Sequence, residues 1–190
     1  MRLISEGVTR LAKKDDNLIA RFLGGHADAV GETVKIYRQG LELFILGYVH
    51  DAQTAEDIAS DAFARLIIKK PDIRDRAHFK TYLYAVAKNL AIENLRKSKR
   101  VAPLSEETPS RQSVEGELLK KERKEAVLSA INSLAGDYRS VLFLRYYEEM
   151  SVEEVARVMK KNKKQVYNLL NRARAQIKEI LCEEGVFDED

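Results

Sequence analysis

Apolar residues recur at helical spacing along most of this chain and nowhere alternate as a half-buried strand would. The first pattern runs from Asp15 to Leu23, with Asp15 or Asp16 as cap, Leu18, Ile19, Phe22 and Leu23 inward, and Gly24 and Gly25 as a stop. A longer one spans Asp28 to Val49, burying Val30, Val34, Tyr37, Leu41, Phe44, Ile45 and Tyr48. After a turn at His50 to Gln53, Thr54 and Asp57 have capping-box spacing and open a helix that Pro71 ends. Ile58, Ala62, Leu66 and Phe63 face its core, and Glu56, Asp57, Ser60 and Asp61 face out. A charged loop, Asp72 to Arg76, precedes a helix from His78 to Lys99. Its core set is Phe79, Leu83, Val86, Ala87, Leu90 and Leu95. Lys80, Tyr84, Lys88, Asn94, Arg96, Lys97 and Lys99 are assigned to its other face, with Tyr82 at the boundary.

The pattern then breaks. Val101 to Glu115 holds Pro103 and Pro109 among Ser, Thr and Glu, with few large apolar residues, and is predicted to be an extended or flexible linker. From Gly116 helical spacing resumes. Val127, Leu128, Ile131 and Leu134 make one stripe, ending near Gly136. Asp137 starts another, with Val141, Leu142, Leu144 and Tyr147 toward the core. Two short amphipathic helices come next. Val152, Val155, Ala156 and Met159 line the first; Val166, Leu169, Leu170, Ala173 and Ile177 line the second. Each opens on a capping box, Ser151 with Glu154 and Asn162 with Gln165. Joined through Lys160 and Lys161, they predict a helix-turn-helix, whose second helix lies in a DNA major groove. The fold expected is all-α: two helical domains, 10–100 and 117–182, a linker at 101–116 and an acidic tail at 183–190.

Composition narrows the chemistry. Apolar residues make up 45% of the 190, enough for two cores, and the net charge of +3 excludes a uniformly basic shell. Basic character is local instead. It gathers at Arg96, Lys97, Lys99 and Arg100 and along the last helix, offset by acidic runs in the linker and tail, a pattern that suits contact with nucleic acid in patches. On the last helix, Lys163, Lys164, Gln165, Tyr167, Asn168, Asn171, Arg172 and Arg174 lie off the apolar stripe. Lys and Arg neutralise phosphates, and Asn and Gln amides pair with an adenine edge. The single cysteine, Cys182, excludes an internal disulfide, Met1 to Thr9 has no apolar core of signal-peptide length, and no run approaches the length of a membrane span, so a cytoplasmic protein is expected. His26, His50 and His78 stand far apart without metal-ligand spacing, and no phosphate loop or nucleophile elbow is present. Neither catalysis nor a cofactor is expected.

Two blocks of the chain resemble one family. TAEDIASDAF, followed by FKTYLYAVAKNLAIENLRK, is similar to the second conserved region of bacterial RNA polymerase sigma factors of the sigma-70 family. LAGDYRSVLFLRYYEEMSVEEVARVM with QVYNLLNRAR is similar to their fourth region. Order and spacing match the short, two-domain extracytoplasmic-function type over about residues 15–181. The resemblance implies a protein that binds core RNA polymerase, reads double-stranded promoter DNA in two places and holds the melted non-template strand. An anti-sigma protein is a further candidate partner, and no membrane contact is implied. Asp57, Ser60, Asp61 and Phe63 fall at polymerase-docking positions, with Ser60 where the family usually has Gln. Arg74, Lys80, Tyr82, Tyr84, Lys88, Asn89 and Arg96 fall in the −10 region, where aromatic faces stack unpaired bases and cations hold the strand. Tyr82 replaces a family Trp. Tyr167, Asn168, Asn171 and Arg172 match −35-facing positions, and Arg139 and Arg145 are implied phosphate contacts. Lys160 replaces a glycine at a turn that wants left-handed backbone, at about 1 kcal/mol. The acidic linker suits a basic channel in the polymerase. The alternative reading is a free-standing helix-turn-helix regulator that does not act through core polymerase.

Overall fold

The computed structural model describes residues 17–73, 75–101, 133–134 and 136–183, with backbone alone at 99–101 and 183. Among these residues there are helices and turns and no strand, in two compact units divided between Ser98 and Lys99. The expected caps at Asp15 and Asp16, the linker beyond Val101, the stripe of Val127, Leu128 and Ile131, and the acidic tail beyond Glu183 lie outside the described residues.

In the first unit, helix α1 (17–23) buries Ile19 and Phe22. Its glycines end it as predicted. Gly25 takes φ 79°, and the amides of Gly25 and His26 donate back to the carbonyls of Phe22 and Arg21, a Schellman ending. Helices α2 (Ala27–Val49), α3 (Ala52–Lys69) and α4 (Arg76–Val101) complete the unit. Leu41 and Ile45 of α2, Leu66 of α3, and Phe79, Leu83 and Tyr84 of α4 are fully buried with Phe22. The ring of Phe22 meets Phe79 edge-on at 5.3 Å, and Tyr37 lies against Phe79 at the same separation. Such pairs contribute about 0.5–1.5 kcal/mol beyond their buried area. Arg76 ties α4 to α2, its Nε donating to Tyr37 Oη at 3.0 Å while its guanidinium lies over the ring.

The helix starts differ from expectation at two places. Helix α3 begins at Ala52, because the Asp51 carboxylate accepts from the Thr54 amide at 2.7 Å. Thr54 is therefore inside the first turn and forms no capping box with Asp57. An ionised cap beside the positive helix end is the stronger start. Likewise α4 begins at Arg76 and not His78, because Asp75 accepts from the His78 amide at 2.8 Å and also meets the His78 ring nitrogen at 2.8 Å. The charged loop is shorter than predicted.

In the second unit, α5 (Gly136–Leu142) buries Val141 and Leu142 and runs into a single π turn, Phe143–Tyr147, closed by the Glu148 amide donating to the Phe143 carbonyl at 3.0 Å. A π turn holds one extra residue and rotates the residues after it about the helix axis. Leu144 stays inside, but Tyr147, expected in the core, is 56% exposed and stacks on Phe143 at the surface. Helix α6 (Val152–Met159) and helix α7 (Lys163–Glu183) then form the predicted helix-turn-helix. Both capping boxes are made. Glu154 N donates to Ser151 Oγ at 3.2 Å and Ser151 N to Glu154 Oε2 at 2.7 Å. Gln165 N donates to Asn162 Oδ1 at 2.8 Å and Asn162 N to Gln165 Oε1 at 2.9 Å. Between them Lys160 adopts φ 54°, ψ 45°, with Lys160 and Lys161 amides returning to the Arg157 and Ala156 carbonyls. Val155, Ala156, Val158 and Met159 bury one face of α6; Val166, Leu170 and Ala173 bury one face of α7, with Leu169 and Ile177 at its edge.

Candidate nucleic-acid and protein-docking surfaces

The buried stripe of α7 fixes what its other side presents. Lys163, Lys164, Gln165, Tyr167, Asn168, Asn171, Arg172 and Arg174 are all exposed. They are not equally available. Gln165 is held in its capping box. Lys163 forms an ion pair with Glu153 of α6, and that hydrogen bond holds the Glu153 carboxyl below its ordinary value. Arg174 donates through Nε to Tyr146 Oη at 2.9 Å, its guanidinium at the hydroxyl end of the ring, 5.5 Å from its centre. Lys164, Asn168, Asn171 and Arg172 have no ion pair or side-chain hydrogen bond among the described residues, so cation and amide donors remain for a ligand along one face. Arg139 and Arg145 are half-buried. Arg145 donates to the Met150 carbonyl at 3.1 Å, which fastens the π turn to the loop leading into α6. A further ion pair, Lys161 to Asp137 at 3.2 Å, joins the turn to α5.

On the first unit, α3 turns Asp57, Ser60 and Asp61 to solvent, and neither carboxylate has an ion-pair partner among the described residues. Glu56 beside them is tied to Arg38 of α2, which also bonds Glu42 at 2.6 Å. The hydrogen bond to Glu42, with the nearby charge of Glu56, raises the Arg38 pKa, so this cation stays charged. Phe63 is buried, as its place on the core stripe predicts and against its family-implied docking position. It is only 5% exposed and packs toward Phe22 at 6.2 Å, so it does not project as a docking side chain. It lines a groove between α2 and α3 with Val30, Val34, Ala59, Ser60 and Ile67.

Helix α4 brings the sharpest corrections. Asn89 and Arg96 are exposed, and Lys80 and Tyr82 half-buried, as surface candidates should be. Tyr84, however, is fully buried against Phe44 at 5.2 Å, and Lys88 is only 8% exposed. Neither is placed to meet DNA. Tyr84, Ala87, Lys88 and Ala91 fall on a second stripe beside Phe79, Leu83 and Leu90, so α4 is covered over a wide arc. Arg74 lies outside the described residues. Tyr146 is not legible as a site residue in the sequence, since its place in a run of aromatic and charged residues carries no periodic signal. Among the described residues no group of His, Cys, Asp and Glu is arranged to hold a metal, and no helix is long and apolar enough to cross a membrane.

Comparison with known proteins places both units. A family profile described as Sigma-70 region 2 matches residues 33–101, and one described as Sigma-70, region 4 matches residues 124–177. The RNA polymerase sigma-H factor of Pseudomonas aeruginosa is 30% identical over 182 residues, covering 89% of this chain and 94% of its own length. The ECF RNA polymerase sigma factor SigM of Bacillus subtilis is 28% identical over 163 residues, covering 84% and 99%. Among solved structures, CnrH in complex with the cytosolic domain of CnrY has a TM-score of 0.63 at 21% identity, covering 89% of this chain and 97% of that one. The sigma factor RpoE of Bartonella quintana, in complex with the anti-sigma factor NepR, has a TM-score of 0.63 at 20% identity, covering 80% and 96%. These two structures share the fold.

Proposed function

The chain belongs to the sigma-70 family of RNA polymerase sigma factors, of the extracytoplasmic-function type, and on that ground we propose how its residues divide the work. As a sigma factor it directs promoter-specific initiation by core RNA polymerase. In our reading 10–100 docks on the polymerase and reads and melts the −10 element. The segment 117–182 reads the −35 element, and 101–116 is the tether between them. The bonds broken and made in RNA synthesis are the polymerase's, so this chain supplies recognition and no reaction of its own. It works where the polymerase works, in the cytoplasm.

The observation that carries the reading is the helix-turn-helix with an exposed basic and amide face. Lys164, Asn168, Asn171 and Arg172 project from a helix whose start is fixed by the reciprocal bonds of Asn162 and Gln165. Arg and Lys there meet phosphates or guanine, and the amides suit adenine. The exposed carboxylates Asp57 and Asp61, with Ser60, form the matching protein-docking surface on α3. Half-buried Tyr82, with exposed Asn89 and Arg96 and half-buried Lys80, serves the unpaired strand. CnrH and RpoE were each captured with a partner protein, that of RpoE an anti-sigma factor, and in our reading an anti-sigma protein covering the α3 face would keep this chain from polymerase. Co-elution with bacterial core polymerase tests the docking half. The wild-type chain should co-elute and Asp61→Ala should not; an Asp61→Ala chain that co-elutes as wild type removes Asp61 from the docking surface.

A further inference from the structure

On the second unit, two arginines converge on one exposed tyrosine. The guanidinium carbon of Arg145 is 6.0 Å from the centre of the Tyr146 ring and that of Arg174 is 5.5 Å from it. Arg174 also donates to Tyr146 Oη, through Nε at 2.9 Å and through a second nitrogen. The ring itself is 53% exposed, so it fills no core. Among the described residues neither arginine has a carboxylate partner, unlike Lys163, Lys161 and Arg38, which all do. Arg145 is further fixed by the Met150 carbonyl next to the cap of α6. The groups that hold these two cations are thus an aromatic face, a hydroxyl and a carbonyl, none of which cancels their charge.

An arginine on a flexible stem loses much of its rotamer freedom when it grips a ligand, and a contact that restricts it beforehand lessens that loss. A phenol face attracts a guanidinium without neutralising it. A phosphate is the ligand that matches guanidinium donors with full positive charge. On α7, Arg174 stands seven residues beyond Tyr167 and three beyond Asn171, on the same helical face as residues facing DNA in the proposed reading.

We propose that Tyr146 is a positioning residue that holds Arg145 and Arg174 together as one phosphate-binding site for the promoter backbone beside the −35 element. It rests on the functional reading above, and adds that the two arginines act as a unit through the tyrosine. Base readout stays with the residues nearer the start of α7; this pair sets how the helix is seated.

The test is a salt titration of holoenzyme, assembled with core polymerase, on a labelled duplex promoter fragment whose start site has been mapped by run-off transcription. Removing one phosphate neutralisation should lower the slope of log K against log salt by about 0.9. Tyr146→Leu removes both ring and hydroxyl. It should weaken binding on the order of threefold, the range of an exposed cation–π interaction, and flatten the slope by roughly one phosphate's worth. Tyr146→Phe keeps the ring for Arg145 but removes the hydroxyl that holds Arg174, and should flatten the slope nearly as much as Tyr146→Leu. Arg174→Ala added to Tyr146→Leu should cost little more, because the arginine is already unheld. Wild-type affinity and slope in Tyr146→Leu would overturn the site, as would full additivity of the two substitutions. So would weaker binding at an unchanged slope with a lowered melting temperature, the mark of a packing role alone. A wild-type holoenzyme that bound no promoter would instead sink the functional reading and the phosphate site with it.

Discussion

Tyr82 and Tyr84 stand two residues apart on α4, and both carry the chemistry to stack on a base. Only one is placed to do so. Tyr84 is fully buried against Phe44, while Tyr82 is half-buried, on a helix that also exposes Asn89. Their substitutions should separate cleanly. Tyr84→Ala should destabilise the first unit by about 3–5 kcal/mol, seen in thermal melting, with loss of all activities together. Tyr82→Ala should leave melting nearly unchanged and slow promoter opening, read by permanganate reactivity of unpaired thymines. If Tyr82→Ala opened promoters at the wild-type rate, the stacking role would be wrong. Arg172 and Asp61 separate the two surfaces in the same way. Arg172→Ala should weaken promoter binding by about 1–3 kcal/mol and spare core binding, and Asp61→Ala should do the reverse. Loss of the same activity in both would contradict the division. The periodic pattern did not distinguish Tyr84 and Lys88 from surface residues, because their burial comes from neighbours on other helices flanking α4. The exposure of Asp57, Ser60 and Asp61 was legible because an outward helical face needs no distant partner to define it.

At the level of elements, the best-read segment is the one whose signals are local. Both capping boxes of the helix-turn-helix are visible as residues three apart, and both are formed. Three helix ends were legible without a glycine, from the break in spacing at His50, from Pro71 and from the next capping box at Asn162, although His50, Lys70 and Lys160 take the left-handed backbone that glycine usually marks. Lys160→Gly should therefore stabilise the second unit by about 1 kcal/mol, measured by urea unfolding followed on that unit. A variant no more stable than wild type would mean that the turn is not strained there. The π turn was illegible for a different reason. A one-residue insertion in the backbone repeat leaves composition unchanged, and it put Tyr147 outside. The starts of α3 and α4 make a pH prediction. Hydrogen bonds from Thr54, and from the His78 amide, hold the Asp51 and Asp75 carboxyls below their ordinary value of 3.8. A group whose pKa is lower folded than unfolded stabilises the fold above the unfolded value, and that stability is lost as pH falls through the folded one. The melting temperature of the first unit should thus drop below about pH 3.8, and drop less in Asp51→Asn, which keeps a cap without the titration. An identical acid limb in both proteins would remove Asp51 as a cause.

At the scale of the whole molecule, there are two compact units, and in the proposed reading each meets DNA with its own surface. Linked sites gain affinity only when both can engage at once, at a separation that the tether and its scaffold allow. The free chain should bind duplex DNA weakly and with steep salt dependence, and should bind a promoter specifically only as holoenzyme. A gel-shift titration of the free chain checks this, with tight sequence-specific binding as the contrary result. The division into two helical units was legible from the proline-bearing polar break alone. Which patch would serve which partner is implied only by the family blocks, because an acidic helix face looks the same whether it meets protein or water. The most direct measurement is run-off transcription by bacterial core polymerase on fragments of the source genome, with and without this protein. We expect new start sites that depend on the chain, preceded by two shared promoter elements. Transcripts unchanged by its addition, together with failure to co-elute with core, would contradict a sigma factor and leave a DNA-binding protein that works without polymerase.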